Sequence, residues 1–135
     1  MIYLLDTNAC IVYLNRPVSG VRRRLTTLSL QDVAVCSVVK AELFYGAIRS
    51  NNRARTLALQ EAFLNNFVSL PFDDTSARIF GIIRAELAAS GTPIGPYDLQ
   101  IAAIAIANNL ILVTHNTREF SRVNGLQLED WEQES

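Results

Sequence analysis

Met1-Ile2-Tyr3-Leu4-Leu5-Asp6-Thr7-Asn8 is the stretch on which the fold turns. Ile2 to Leu5 is an unbroken apolar run without the polar alternation of a half-wet strand. It reads as a strand buried on both faces, the kind found inside parallel sheets. The run stops at a carboxylate followed by two small polar residues. Open α/β sheets place their ligands outside the carboxyl ends of the strands, so Asp6 stands where such a fold keeps its chemistry.

Working outward, strand-like runs alternate with helical stretches. Thr7 to Leu14 keeps an apolar stripe and ends near Asn15-Arg16-Pro17, a short helix with Thr7 or Asn8 near its cap. Val18 to Leu30 predicts a second helix bearing three consecutive arginines. Val33-Ala34-Val35-Cys36 is a second buried strand, with Ser37 placed to cap a helix from Val38 to about Ile48. Arg53 to Asn66 predicts another helix with Leu57, Leu59, Phe63 and Leu64 toward the core. Phe67 to Leu70 is a third strand ended by Pro71. Asp73-Asp74-Thr75 starts a helix through Ile79, Ile82, Ile83 and Leu87, stopped by Gly91. Thr92 to Tyr97 is a rigid loop into Asp98, and Leu99 to Ala107 is a deeply buried helix. Leu110 to Val113 is a fourth strand, and Gln127-Leu128 begins a short fifth. This order predicts an α/β domain with a mostly parallel sheet of four to five strands, residues 1–135 forming a single domain.

Half of the 135 residues are hydrophobic, enough for a proper core. No apolar run approaches the roughly 18–20 residues that span a bilayer. The N-terminal residues lack the basic region and cleavage site of a secretory signal, so a cytoplasmic location is expected. Cys10 and Cys36 sit in apolar settings and read as reduced core thiols. One histidine and two cysteines do not make an ordinary zinc site. The net charge of −1 argues against non-specific wrapping on nucleic acid. Yet eleven of the twelve basic residues are arginines, and Arg22, Arg23, Arg24 and Arg49 are candidates for a local phosphate-binding surface. Solvated helix faces would give the same pattern.

Three acids carry the chemistry. Asp6 ends the first strand, Glu42 lies on the helix after the second, and Asp98 opens the helix before the fourth. Three carboxylates brought together without a cation repel and raise one another's pKa values. A hard divalent cation with oxygen ligands, Mg²⁺ or Mn²⁺, resolves the conflict. Each acid also has a plainer reading: Asp6 as a helix cap, Glu42 as a partly exposed helix acid, Asp98 as the cap of its own helix. Asn116 and Glu119 match the capping-box spacing, in which Glu119 would reach back to the cap. Alternatively, either orients a water or a phosphate. Thr7 is a further auxiliary candidate, whereas His115 reads as incidental.

Four blocks, Leu4-Leu5-Asp6-Thr7-Asn8, Glu42-Leu43-Phe44-Tyr45-Gly46, Pro93 to Ala103, and Thr114-His115-Asn116-Thr117-Arg118-Glu119-Phe120, resemble the PIN-domain ribonucleases in order and spacing. The closer likeness is to the VapC toxins of type II toxin–antitoxin (VapBC) pairs. That resemblance implies a three-layer α/β/α fold and a Mg²⁺- or Mn²⁺-dependent endoribonuclease acting on RNA, transfer RNA above all, to inhibit translation. It implies Asp6, Glu42 and Asp98 as the catalytic acids, with Asp6 and Asp98 on the metal. It also implies a VapB-like antitoxin laid across the cleft, a homodimer and a larger toxin–antitoxin assembly. Many PIN domains carry a fourth acid where this chain has Asn116.

Two other enzyme readings fail on particular residues. A haloacid-dehalogenase-like phosphatase wants a second Asp two residues after the first, and position 8 is Asn. A receiver-like phosphoacceptor wants paired early acids and a lysine after the last strand. A binding module whose acidic pocket docks a partner's arginine, without nuclease activity, survives as the alternative.

Overall fold

The computed structural model describes residues 1–132. Five strands form one sheet in the order β3-β2-β1-β4-β5, every pair parallel. The strands are β1 (Tyr3–Leu5), β2 (Val33–Cys36), β3 (Val68–Leu70), β4 (Ile111–Val113) and β5 (Leu128–Glu129). Between them run α1 (Thr7–Asn15), α2 (Gly20–Thr26), α3 (Ser37–Ile48), α4 (Arg53–Leu64), α5 (Asp74–Ala89), α6 (Pro96–Ala107) and the single turn α7 (Thr117–Phe120). The first crossovers move the chain outward from β1 to β3, and the third returns it to the other side of β1. Right-handed crossovers in opposite directions put their helices on opposite faces. α3 accordingly packs on α1 and α4, while α5 packs on α6.

β1 is the centre of the sheet. Leu4 and Leu5 are fully buried, as are Val33 to Cys36 beside them and Leu112 across the other seam. Each fully buried Leu or Val is worth about 1.5–3 kcal/mol over exposure, so this seam anchors the domain. In α6 the run Leu99 to Ala105 is buried except at Gln100, and its small residues let it lie close against α5 and the sheet. Gly20 is required by packing: a Cβ there would come within 1.8 Å of the Trp131 carbonyl oxygen. Trp131 in turn meets Tyr3 edge-to-face, with ring centroids 5.2 Å apart. Both cysteines are free and buried, as expected.

Several local expectations are corrected. The helix expected from Val18 to Leu30 is shorter, Gly20–Thr26, followed by a 3₁₀ turn at Leu30–Asp32. Ser37 does not cap α3; it is the helix's first residue, and its hydroxyl donates to the Leu70 carbonyl. Leu59 and Ile82 are exposed, while Gln60 is buried because its amide donates to the Leu43 carbonyl of α3 at 3.0 Å. α6 begins at Pro96, two residues before Asp98, since proline's missing N–H costs nothing in a first turn. Among the described residues no helix is long and apolar enough to cross a membrane.

Candidate active site

The strand order reverses between β1 and β4, and the carboxyl ends of these two strands form the crevice that such a switch creates. Asp6 lies there, joined to β4 by its backbone N–H, which donates to the Val113 carbonyl at 3.1 Å. It is also the N-cap of α1: its Oδ1 accepts the Ala9 N–H at 2.8 Å. The cap reading of Asp6 and its functional position therefore coincide in one residue, with Thr7 next to the cap. Asp6 is only 5% exposed. Burial pushes its carboxyl up from 3.8 to about 6; the Thr114 side chain and the Ala9 amide pull the other way, and the charges of Asp98 and Glu132 add to the push.

Glu42, on α3, accepts a hydrogen bond from the Thr7 hydroxyl at 2.7 Å. The first turn of α1 thus reaches across to the helix after β2. Asp98, in the first turn of α6, is half-buried. Its carboxyl is raised by burial first, then by the charges of Glu42 and Glu119. Glu119 does not complete a capping box: its carboxylate accepts the Asn116 side-chain amide at 3.0 Å, and Asn116 makes no side-chain cap bond to α7. The Asn116 backbone N–H instead donates to the Thr114 hydroxyl at 3.0 Å. Asp6, Glu42, Asp98 and Glu119 therefore share one electrostatic neighbourhood, with Asp98 coupled to the other three.

Thr114 is the site residue that the sequence reading passed over. It is buried at the end of β4, and its hydroxyl serves Asn116 while its side chain steadies Asp6. A small polar residue directly after a buried strand, in register with the end of β1, was the available signal. His115 is exposed and turned aside, with Nδ1 3.0 Å from an Asp130 carboxylate oxygen.

The donor set suits a hard cation. It is made of oxygens, and burial and like charge already disfavour two of its carboxylates in ionised form. Among the described residues, no arginine or lysine forms an ion pair with any of the four acids. The carboxylate oxygens of Asp6, Glu42 and Asp98 do not all lie within 4.8 Å of one another. The described side chains whose ligand atoms gather within 4.8 Å are instead His115, Asp130 and Glu132, on the adjoining rim.

The arginines divide. The Arg22 guanidinium lies 4.2 Å from the centre of the Tyr13 ring and donates to the Tyr13 carbonyl at 2.8 Å. Arg24 donates to the Tyr3 hydroxyl at 3.1 Å and approaches Glu129 to 3.7 Å. Both are occupied in holding α2 to the body of the protein. Arg23 is exposed, and Arg49 bonds the Tyr45 hydroxyl at 3.3 Å from an exposed position. Arg22 and Glu42 also line a groove of about 580 Å³ between α1, α3 and α4, walled by Tyr13, Leu43 and Phe63.

The sequence model of the PIN domain matches residues 3–126. The chain belongs to the PIN domain family. Within that family it is 44% identical over 129 residues to the tRNA(fMet)-specific endonuclease VapC of Shigella flexneri, covering 96% of this chain and 97% of that protein. It is 37% identical over 133 residues to ribonuclease VapC2 of Rickettsia felis, covering 98% and 99%. This PIN domain also superposes on a chain of the DNA-bound VapBC complex of Salmonella typhimurium with a TM-score of 0.92. The two are 40% identical, and the match covers 97% and 98% of the two chains. The three-layer α/β/α arrangement expected of a PIN domain is thus the one observed.

Proposed function

We propose that this protein is the toxin of a type II toxin–antitoxin pair: a single-domain, metal-dependent endoribonuclease that hydrolyses phosphodiesters of transfer RNA and so inhibits translation. The observation that carries the reading is the buried Asp6 carboxyl, raised to about 6, in one field with Asp98, Glu42 and Glu119 and, among the described residues, without an ion pair to a cationic side chain. The names of the VapC relatives point to the same activity.

Asp6 and Asp98 would hold Mg²⁺ or Mn²⁺, which when bound makes a water more acidic and offsets charge on phosphoryl oxygens. Glu42 is oriented for its part by Thr7. Glu119, held by Asn116, lends negative charge beside the position, Asn116, at which many PIN domains carry a further acid. Hydrolysis by water leaves a 5′-phosphate and a 3′-hydroxyl, with no role for the RNA 2′-oxygen. Arg23 and Arg49 are exposed and available to flanking phosphates; Arg22 and Arg24 contribute mainly by packing.

The partner is an antitoxin segment. The apolar groove beside Glu42 suits such a segment, and an arginine from it at the acids would supply the charge that they lack. The relatives' structures are toxin–antitoxin complexes, which supports this arrangement. Self-association as a symmetric dimer belongs to the same reading.

The test is cleavage of total cellular RNA by purified, partner-free protein, with Mg²⁺ or Mn²⁺ against EDTA, beside Asp6→Ala and Asp98→Asn. A few discrete transfer-RNA fragments, lost with EDTA and in both variants, are expected. Antitoxin binding by folded protein that cleaves nothing in either metal would replace the nuclease with an arginine-docking module.

A further inference from the structure

The acids form a negatively charged crevice, which by itself repels the RNA it is to cut. Binding therefore has to be supplied from beside them. The opposite flank of α3 from the antitoxin groove carries a second recess of about 660 Å³, walled by Ser37, Glu42, Tyr45, Tyr97 and Gln100. Two features set it apart. Tyr45 and Tyr97 are 62% and 58% exposed, which leaves both phenol rings largely wet. And the recess is continuous with the acids, because Glu42 is one of its walls and Tyr97 precedes Asp98 in the first turn of α6.

We propose that this recess between α3 and α6 seats a nucleobase next to the phosphate that is cut, with Tyr45 and Tyr97 as stacking surfaces and the Gln100 amide as a polar contact to the base edge. The proposal rests on the ribonuclease reading above and adds to it the part of the substrate recognised. Unpaired bases stack on exposed aromatic rings without regard to net charge, which suits a binding element placed against carboxylates. Tyr45 is already oriented: the Arg49 guanidinium lies 5.3 Å from its ring centre and bonds its hydroxyl. That leaves a cation beside the ring, ready for the phosphate that follows the stacked base. Such a seat requires an unpaired nucleotide at the cleavage site, so cuts fall in loops of folded RNA and not within its stems.

The experiment is steady-state cleavage of a transfer-RNA pool with Mg²⁺ by the wild type and by Tyr45→Ala, Tyr97→Ala, Tyr45→Phe and Tyr97→Phe. Folding is followed by urea unfolding and self-association by sedimentation. Loss of one stacked base weakens binding on the order of five- to a hundredfold. The alanine variants are therefore expected to raise KM by that factor with kcat nearly kept, and the phenylalanine variants to restore it. Unchanged KM in both alanine variants of an active enzyme overturns the proposal. So does a rise in KM that accompanies dissociation of a dimer, which would make the tyrosines a contact between copies of this chain. A wild type that cleaves no RNA overturns the ribonuclease reading itself, a separate failure.

Discussion

Asp6→Asn is the substitution whose outcome separates charge from structure at the site. Asn keeps the shape, and it serves as well as Asp at a helix N-cap, so the bond to the Ala9 N–H survives. What is removed is the cost of ionising a buried carboxyl. Because the folded-state value is raised from 3.8 to about 6, the folded protein binds more protons than the unfolded chain between those values. Stability from this group is therefore complete below 3.8, falls as pH rises through the interval, and is flat above about 6. That interval corresponds to about 3 kcal/mol, nearly undiscounted because the group is almost fully buried. In EDTA, urea unfolding should show Asp6→Asn more stable than wild type by about 3 kcal/mol at pH 8, the gap closing toward pH 4. Millimolar Mg²⁺ should then raise the stability of the wild type far more than that of the variant, by about 2.7 kcal/mol at a hundredfold excess over its Kd. A variant less stable than wild type at pH 8, or a gap that does not change with pH, would refute the electrostatic account.

Other outcomes follow from single contacts. Thr7→Val removes the donor to Glu42, a charge-assisted bond of the class worth about 1.5–3 kcal/mol, so kcat for transfer-RNA cleavage should fall at least about tenfold. Because the bond is present in the resting fold, the same variant should also lose about 1 kcal/mol in urea unfolding, less than the full value of the bond because Thr7 is only half-buried. Glu119→Gln should raise the Mg²⁺ concentration for half-maximal cleavage by about tenfold, the usual effect of altering a group that supports a metal site from behind. Gly20→Ala should cost about 1–3 kcal/mol in urea unfolding without touching the acids, because its Cβ collides with backbone at Trp131.

The parallel sheet was legible because its inner strands β1 and β2 are short, apolar and buried throughout; Val33 to Cys36 matches residue for residue. The three acids were legible as positions, since each follows or precedes a buried element at the same end of the sheet. What pattern could not supply was direction. Leu59 and Gln60 exchange roles because α4 packs on the flank of α3 and not on the sheet, and there the Leu43 carbonyl rewards an amide. The arginines of α2 look alike in a row, yet the rotation of a helix sends Arg22 onto Tyr13 and Arg24 onto Tyr3 and leaves Arg23 in water. Asn116 and Glu119 have capping-box spacing, but α7 is a single turn, and Thr114 had already claimed the Asn116 N–H.

The central strand is also the first to be made. During synthesis β1 emerges long before β4, its second neighbour, so half of its edge stays open until residues 111–113 have left the ribosome. The four acids follow the same calendar: Asp6 appears at the start, Asp98 and Glu119 only near the end. A nascent or prematurely terminated chain carries the beginnings of the sheet but no assembled site. On the ribonuclease reading proposed above, this topology delays assembly of the site until β4 and α7 have been made.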